Sequence, residues 1–208
     1  LFKNISPLLL TVVFLLSSCV KDLDREPFYD VTSANVYKDF ANYKLILAKL
    51  YAGYAVSGQQ GPAGKPDLSG IDEGSSNYLR QYWQLQELPT DDAVIGWNDG
   101  TIGQLNTTEW TPANEFITVM YNRIFYQITL CNEFIRETTD EKLSERGITG
   151  ANADEARKYR TEARFLRALS YSHAIDLFGN VPFVTEEDAV GSFFPKQTTR
   201  AELFDYIE

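Results

Sequence analysis

Two long stretches of helical periodicity, residues 114–137 and 153–178, constrain this fold more than any other feature of the chain. In the first, Ile117, Tyr121, Ile124, Ile128, Cys131 and Ile135 recur at alternating spacings of four and three. Phe116, Met120, Tyr126, Leu130 and Phe134 make a second apolar strip. A helix that is apolar on two sides must be packed on two sides. At ~1.5 Å per residue it is about 36 Å long. The second stretch carries small residues suited to close helix contact, Ala156, Ala163 and Ala168, and ends at Gly179, a natural residue for a helix C-terminus. Pro182 then forbids further helix, so VPFVTE is expected to run extended. Between the two lies TTDEKLSERGITGANAD, expected as the turn. Long helix, turn, long helix is a helical hairpin. Hairpins of this kind stack in tetratricopeptide-type solenoids, although periodicity alone does not separate a solenoid from a bundle. No tidy short-period repeat is visible.

The remaining segments are shorter. Ser33 is a candidate N-cap for an amphipathic helix over residues 37–54, with Val36, Phe40, Tyr43, Leu47, Leu50 and Tyr54 recurring at helical spacing. SGQQGPAGKPDLSG ends it, since its glycines and prolines suit neither helix nor central strand. Residues 78–88 are a short helical candidate. ELPTDDAVIGWNDGTIGQL reads as a loop, and its specific polar and aromatic residues mark it as functional. Thr199 caps a helix start close to the last residue, so the chain is expected to be the N-terminal part of a longer protein.

The N-terminus reads as an export signal. Lys3 precedes an apolar run from Leu8 to Leu16, and the small residues Ser17 and Ser18 precede Cys19. The run is too short to span a bilayer, which takes ~20 apolar residues. Leu16-Ser17-Ser18-Cys19 resembles a bacterial lipobox, in which the cysteine becomes the lipidated first mature residue. Residues 1–18 are then the signal peptide, and Cys19 carries a membrane anchor of two or three acyl chains. Cys131 has no partner for an intramolecular disulfide and is expected to be a small buried side chain. With 19 basic and 29 acidic side chains the formal charge is −10. Such a surface repels nucleic acid and suits a neutral ligand.

YRTEARFLRALSYSHAIDLFGNVPFV, residues 159–184, resembles the hallmark of the SusD/RagB family of Bacteroidetes nutrient-binding lipoproteins. DLSGIDEGSSNYLRQYWQLQELPTDDAVIGWNDG resembles the ligand-binding region of its starch-binding branch, and YQITLCNEFIRET matches a family helix. The resemblance spans essentially all of residues 19–208, while family members are considerably longer. It implies a mainly α fold, a tetratricopeptide-like scaffold of helical hairpins with long irregular loops that build a shallow glycan site. It also implies a lipoprotein on the outer face of the outer membrane. Such a protein captures oligosaccharide, starch-like α-glucan first, and delivers it to a SusC-type TonB-dependent transporter. Within the same fold the RagB branch implies peptides or other nutrients as the alternative ligand. The alternative outside it is a helical glycoside hydrolase.

The chemistry of the residues agrees with a sugar. Pyranose rings stack their C–H faces on Trp and Tyr, and their hydroxyls need planar, multi-donor partners. Arg80, Trp97, Asn98 and Asp99 supply both kinds. By resemblance Arg80 is a sugar hydrogen-bonder and Trp97 a stacking aromatic, with Asn98 and Asp99 beside them. The competing structural reading makes Trp97 a core residue and pairs Arg80 with Asp72 or Glu73. Catalysis finds little support. His173 is mid-helix, no metal-ligand cluster is evident, and no cofactor motif is present. A glycosidase needs carboxylates facing each other across a sugar, and Asp91-Asp92 and Asp72-Glu73 are adjacent instead. Gly58, Gly61 and Gly64 lack the flanking strand and Lys-Ser/Thr of a phosphate loop. Arg157, Arg160, Arg164 and Arg167 share one helix face and are expected to serve the scaffold, not to bind an anion.

Overall fold

The approach to the first long helix is broken rather than continuous. A computed structural model describes residues 32–58, 66–72, 74–191 and 194–208. The described residues fall into two units, 32–36 and 37–208. In the first, the described residues form one short helix, α1 (Ser33–Val36), so Ser33 opens a helix of its own instead of capping a long one. In the second, the chain turns through residues 37–40 and α2 covers Ala41–Ala52, shorter at both ends than the expected 37–54. The Asp39 carboxylate accepts from the Ala41 amide at 3.0 Å, a local side-chain turn that competes with helix and delays its start.

The other elements of this unit are α3 (Tyr78–Glu87), α4 (Gly103–Thr107), α5 (Glu115–Glu137), α6 (Asp140–Glu145), α7 (Gly150–Leu177), β1 (Val181–Pro182), β2 (Gln197–Thr198) and α8 (Arg200–Ile207). The fold is mainly α, as expected. Two expected boundaries move. The linker between the long helices holds α6, started by the Thr139 hydroxyl accepting from the Lys142 amide and tied down by buried Leu143. The second long helix begins at Gly150, three residues earlier than its apolar pattern suggested.

The α5–α7 hairpin forms the core, with α2 against both helices, α3 on α5 and α8 on α7. Asn114 starts α5, its side-chain oxygen accepting from the amides of Phe116 and Ile117. Met120, Ile124, Ile128, Cys131 and Phe134 are buried against Ala153, Ala156, Ala163, Leu166 and Ala174 of α7. Alanines let the backbones approach closely. Ala168 is only partly buried, because five positions after Ala163 it has rotated off the contact stripe. Burial pushes the Cys131 thiol up to about 12, so it stays protonated and packs as a small apolar side chain.

Beyond α7, Gly179 takes φ +72°, a left-handed turn natural to glycine. The expected extended run follows. Val181 and Pro182 pair antiparallel with Thr198 and Gln197. The Tyr171 hydroxyl donates to the Val184 carbonyl at 2.7 Å and accepts from the Val184 amide at 2.8 Å, which pins the strand to α7. Thr199 and Glu202 form a reciprocal capping box on α8.

Three of the four arginines on one face of α7, Arg157, Arg160 and Arg167, serve the scaffold. Arg157 bridges Asp140 and Asp154, and its guanidinium holds the Asp140 carboxyl below the usual carboxylate range. Arg160 reaches Asp140 and donates to the Thr138 carbonyl at 2.8 Å. Arg167, buried, donates to Asn132 Oδ1 at 2.6 Å and pairs with Glu186. Together they fasten α7 to the end of α5 and to the strand that follows. His173 is a packed residue too. Its Nδ1 lies 2.9 Å from the Tyr78 hydroxyl, and its ring lies 4.1 Å, centroid to centroid, from that of Tyr82.

Candidate functional site

Arg80 is placed by the start of α3. Asn77 is the N-cap, in extended conformation, and its side-chain oxygen accepts from the Arg80 amide at 2.9 Å. Arg80 is thereby held on the first turn. Its guanidinium folds back to donate from Nη1 to the Gly74 carbonyl at 2.8 Å. The same guanidinium lies over the Trp97 ring, 5.7 Å from the ring centroid, a cation–π contact. The two residues expected to bind sugar are therefore in contact, although seventeen positions separate them.

Trp97 is 52% exposed. That exposure rules out the reading of Trp97 as a core residue. The carboxylate of Asp72 accepts from the Gly74 amide at 2.9 Å, so it shapes the turn whose carbonyl Arg80 uses. Glu73, the other acid considered for Arg80, lies outside the described residues, as does Cys19.

Asn98 and Asp99 are exposed beside Trp97. Asp99 shares a cavity of about 430 Å³ with Asp72, Ser75, Gly100 and Glu115. Gly100 has φ +52°, and a Cβ there would overlap the Glu115 carboxylate. The turn after Trp97 therefore favours glycine through its positive φ, while the Glu115 carboxylate, the end of a flexible side chain, would have to shift to admit a Cβ. Among the described residues, no group of His, Cys, Asp and Glu is arranged to hold a metal ion. Asn98 is brought to the same exposed turn.

The loop that carries Trp97 has its own small floor. Leu88, Ile102, Leu105 and Phe116 form a buried cluster separate from the hairpin core, with Ile71, Ala93, Ile95 and Ile117 packed on it. One residue not singled out from sequence organises the loop above this floor. Asn106, on α4, donates to the carbonyls of Leu88 at 2.8 Å and Ala93 at 3.0 Å, and accepts from the Ile95 amide at 3.3 Å. On the far side, Asn114 donates to the Thr101 carbonyl at 3.0 Å while Glu115 accepts from the Thr101 amide at 3.1 Å. The exposed turn 96–100 is thus held between two polar clamps. An Asn close to a predicted loop is too common a signal to have identified Asn106 in advance.

An apolar cavity of about 570 Å³ lies elsewhere, lined by Leu85, Leu105, Trp110, Ile117 and Phe178 among others. It includes neither Arg80 nor Trp97. The Arg80–Trp97 pair is a shelf, not a pit, and a shelf suits a ligand that stacks one face of a ring while its other face stays in water.

No protein-family model matches the chain. Over 193 residues, 92% of its length, it is 35% identical to the starch-binding protein SusD of Bacteroides thetaiotaomicron, of which it spans 32%. A crystal structure of a SusD-like carbohydrate-binding protein from Bacteroides fragilis superposes on 83% of the chain with a TM-score of 0.57 at 19% identity, covering 30% of that protein. The chain spans about a third of the length of each. Neither relative is described as an enzyme; both are named for binding. In sequence over nearly its whole length, and in fold over most of it, the chain is SusD-like.

Proposed function

We propose that this chain is the N-terminal part of a cell-surface glycan-binding lipoprotein, with starch-like α-glucan as its first candidate ligand. One observation carries the reading: a half-exposed indole, Trp97, held under a guanidinium that is itself anchored to the backbone. The indole offers apolar surface to the C–H face of a sugar. Arg80 spends one N–H on Gly74 and has others to offer to hydroxyls. Neither group has to be ordered on binding, which lowers the entropic cost of capture. Asn98 and Asp99 add polar groups on the same turn. The sequence similarity to a starch-binding protein supports the same ligand class.

Cys19 is the proposed lipid anchor and the outer face of the outer membrane the proposed location. A SusC-type TonB-dependent transporter is the proposed recipient of the bound oligosaccharide. Among the described residues, no helix is long and apolar enough to cross a membrane. The reading is tested with the full-length protein on an array of neutral glycans, α-glucans among them, alongside an array of peptides. Retention of α-glucan, lost on Trp97→Ala, is the expected result. Retention of peptides alone would move the protein to the RagB-like reading, and release of new reducing ends from a bound glycan would mark an enzyme.

A further inference from the structure

The largest fully buried side chain in the described structure is a charged one, Arg123 of α5, with 1% of its side chain exposed. Its guanidinium serves two segments of chain at once. Nε donates to the Ser76 carbonyl at 2.5 Å, and Nη2 to Ser76 Oγ at 2.9 Å and to the Ser57 carbonyl at 2.8 Å. Nη1 faces the Asp67 carboxylate at 3.8 Å. A buried cation is costly, and a well-packed apolar side chain is often as stable in such a place. What a guanidinium supplies instead is direction, through donors fixed in one rigid plane.

That direction is delivered next to the candidate site. Three consecutive backbone carbonyls are each held by a different side chain. Gly74 accepts from Arg80, Ser75 from buried Gln81, and Ser76 from Arg123. The carbonyl that orients Arg80 is therefore two peptide units from the one that Arg123 grips. Asn77, the next residue, caps the helix on which Arg80 stands. Both the backbone and the side chain of Arg80 are referred to this short stretch.

We propose that Arg123 is a positioning residue for the glycan site: by fixing residues 74–76 it sets the angle of Arg80 over Trp97. This rests on the glycan reading above, and it concerns a residue that touches no ligand. A generic structural role for Arg123 would lower stability and leave the shelf alone. A positioning role makes Arg123 and Arg80 act as one unit.

The experiment is a double-mutant cycle in the full-length protein, with a soluble linear α-glucan oligosaccharide as probe and calorimetry as the measurement. Arg123→Gln is expected to weaken binding about fivefold to tenfold, the cost of leaving one long side chain to be ordered on binding. Arg123→Lys, which keeps the charge and loses the fork, is expected to fall between Gln and wild type. If Arg123→Gln does not fold, Arg123→Lys takes its place in the cycle. The decisive comparison is Arg80→Ala with and without the Arg123 substitution. Coupled residues give a double variant no weaker than Arg80→Ala alone; additive losses overturn the proposal. So does an Arg123 variant that binds like wild type. A core variant away from the loop, Leu203→Ala, supplies the control for lowered melting temperature; an equal loss of binding there would also overturn it. Should wild-type protein bind no glycan, the shelf is followed by the NMR signal of the Trp97 indole N–H. A shift in Arg123→Gln that matches the shift in Arg80→Ala upholds the positioning while the glycan reading falls. An unmoved signal ends both.

Discussion

The α5–α7 hairpin and the loop between α3 and α5 are held by different forces. The hairpin is an apolar seam. Its buried residues interdigitate along two long helices, with Arg157 and Arg160 paired with carboxylates or a carbonyl at its margin and Arg167 buried against Asn132 and Glu186. The loop has only four buried apolar residues beneath it, and its shape is drawn by side-chain amides and a carboxylate gripping its backbone. Apolar packing is strong and indifferent to direction. Hydrogen bonds contribute less net stability but fix angles. The scaffold therefore carries the stability and the loop carries the geometry, and the candidate ligand groups stand on the second.

Breaking the scaffold is expected to give the largest effect. Phe134, fully buried on α5 with its ring against that of Tyr37, is the place to do it. Phe134→Ala is expected to cost about 3–5 kcal/mol through lost transfer energy and the cavity left behind. Chemical denaturation followed by circular dichroism reads the loss; a change below about 1 kcal/mol would mean that the seam repacks freely.

Next comes the shelf. Removing an indole patch of roughly 60–100 Å² from sugar contact is worth about 1.5–2.5 kcal/mol at ~25 cal/mol per Å². Trp97→Ala is therefore expected to weaken α-glucan binding at least about tenfold by calorimetry. Its melting temperature is expected to stay near wild type, because half the ring is already in water. Arg80→Ala is expected to cost less, since water replaces an exposed donor. A Trp97→Ala protein that melts far below wild type would assign the ring to the floor of the loop.

Asn106→Ala sharpens the contrast. It removes the clamp on Leu88, Ala93 and Ile95 without touching the hairpin. A loss of about 1–2 kcal/mol is expected from backbone groups left unpaired. Hydrogen exchange should rise in residues 88–96 and remain unchanged across α5 and α7. Equal acceleration in both regions would show that they unfold as one unit.

The smallest effect is one of pH. Burial lowers the pKa of His173, whose Nδ1 is hydrogen-bonded to the Tyr78 hydroxyl, a phenol that burial pushes well above its ordinary value. The unfolded chain therefore takes up this proton first. The stability that neutral His173 contributes is complete above about pH 6.5 and is lost as pH falls through that value toward the lower folded pKa. His173→Gln is expected to flatten this part of the stability profile, measured by denaturation at several pH values. A slope that persists unchanged would place the proton uptake elsewhere.

Much of the scaffold was legible because it obeys a period. The alternation of threes and fours through Ile117, Tyr121, Ile124, Ile128 and Cys131 marks a long packed helix, and Gly179 and Pro182 mark where the second one stops. Where local side chains compete with the period, the reading slipped. Asp39 delayed α2, and Thr139 with Leu143 drew a short helix out of an expected turn. The candidate site was legible as residue types and by resemblance, but not as a constellation. Asn106, Arg123 and Gln81 carry no periodic signal, because each acts through side-chain hydrogen bonds to backbone outside its own helix.

By itself, then, the sequence determined the helical hairpin and where its second helix stops, since helical pitch converts residue spacing directly into a buried face. Whether Trp97 was core or surface, whether Arg80 met it, and which buried cation held the intervening turn were decided only by the tertiary structure. Those are contacts between segments that no local period relates, and their geometry exists only once the chain has folded around them.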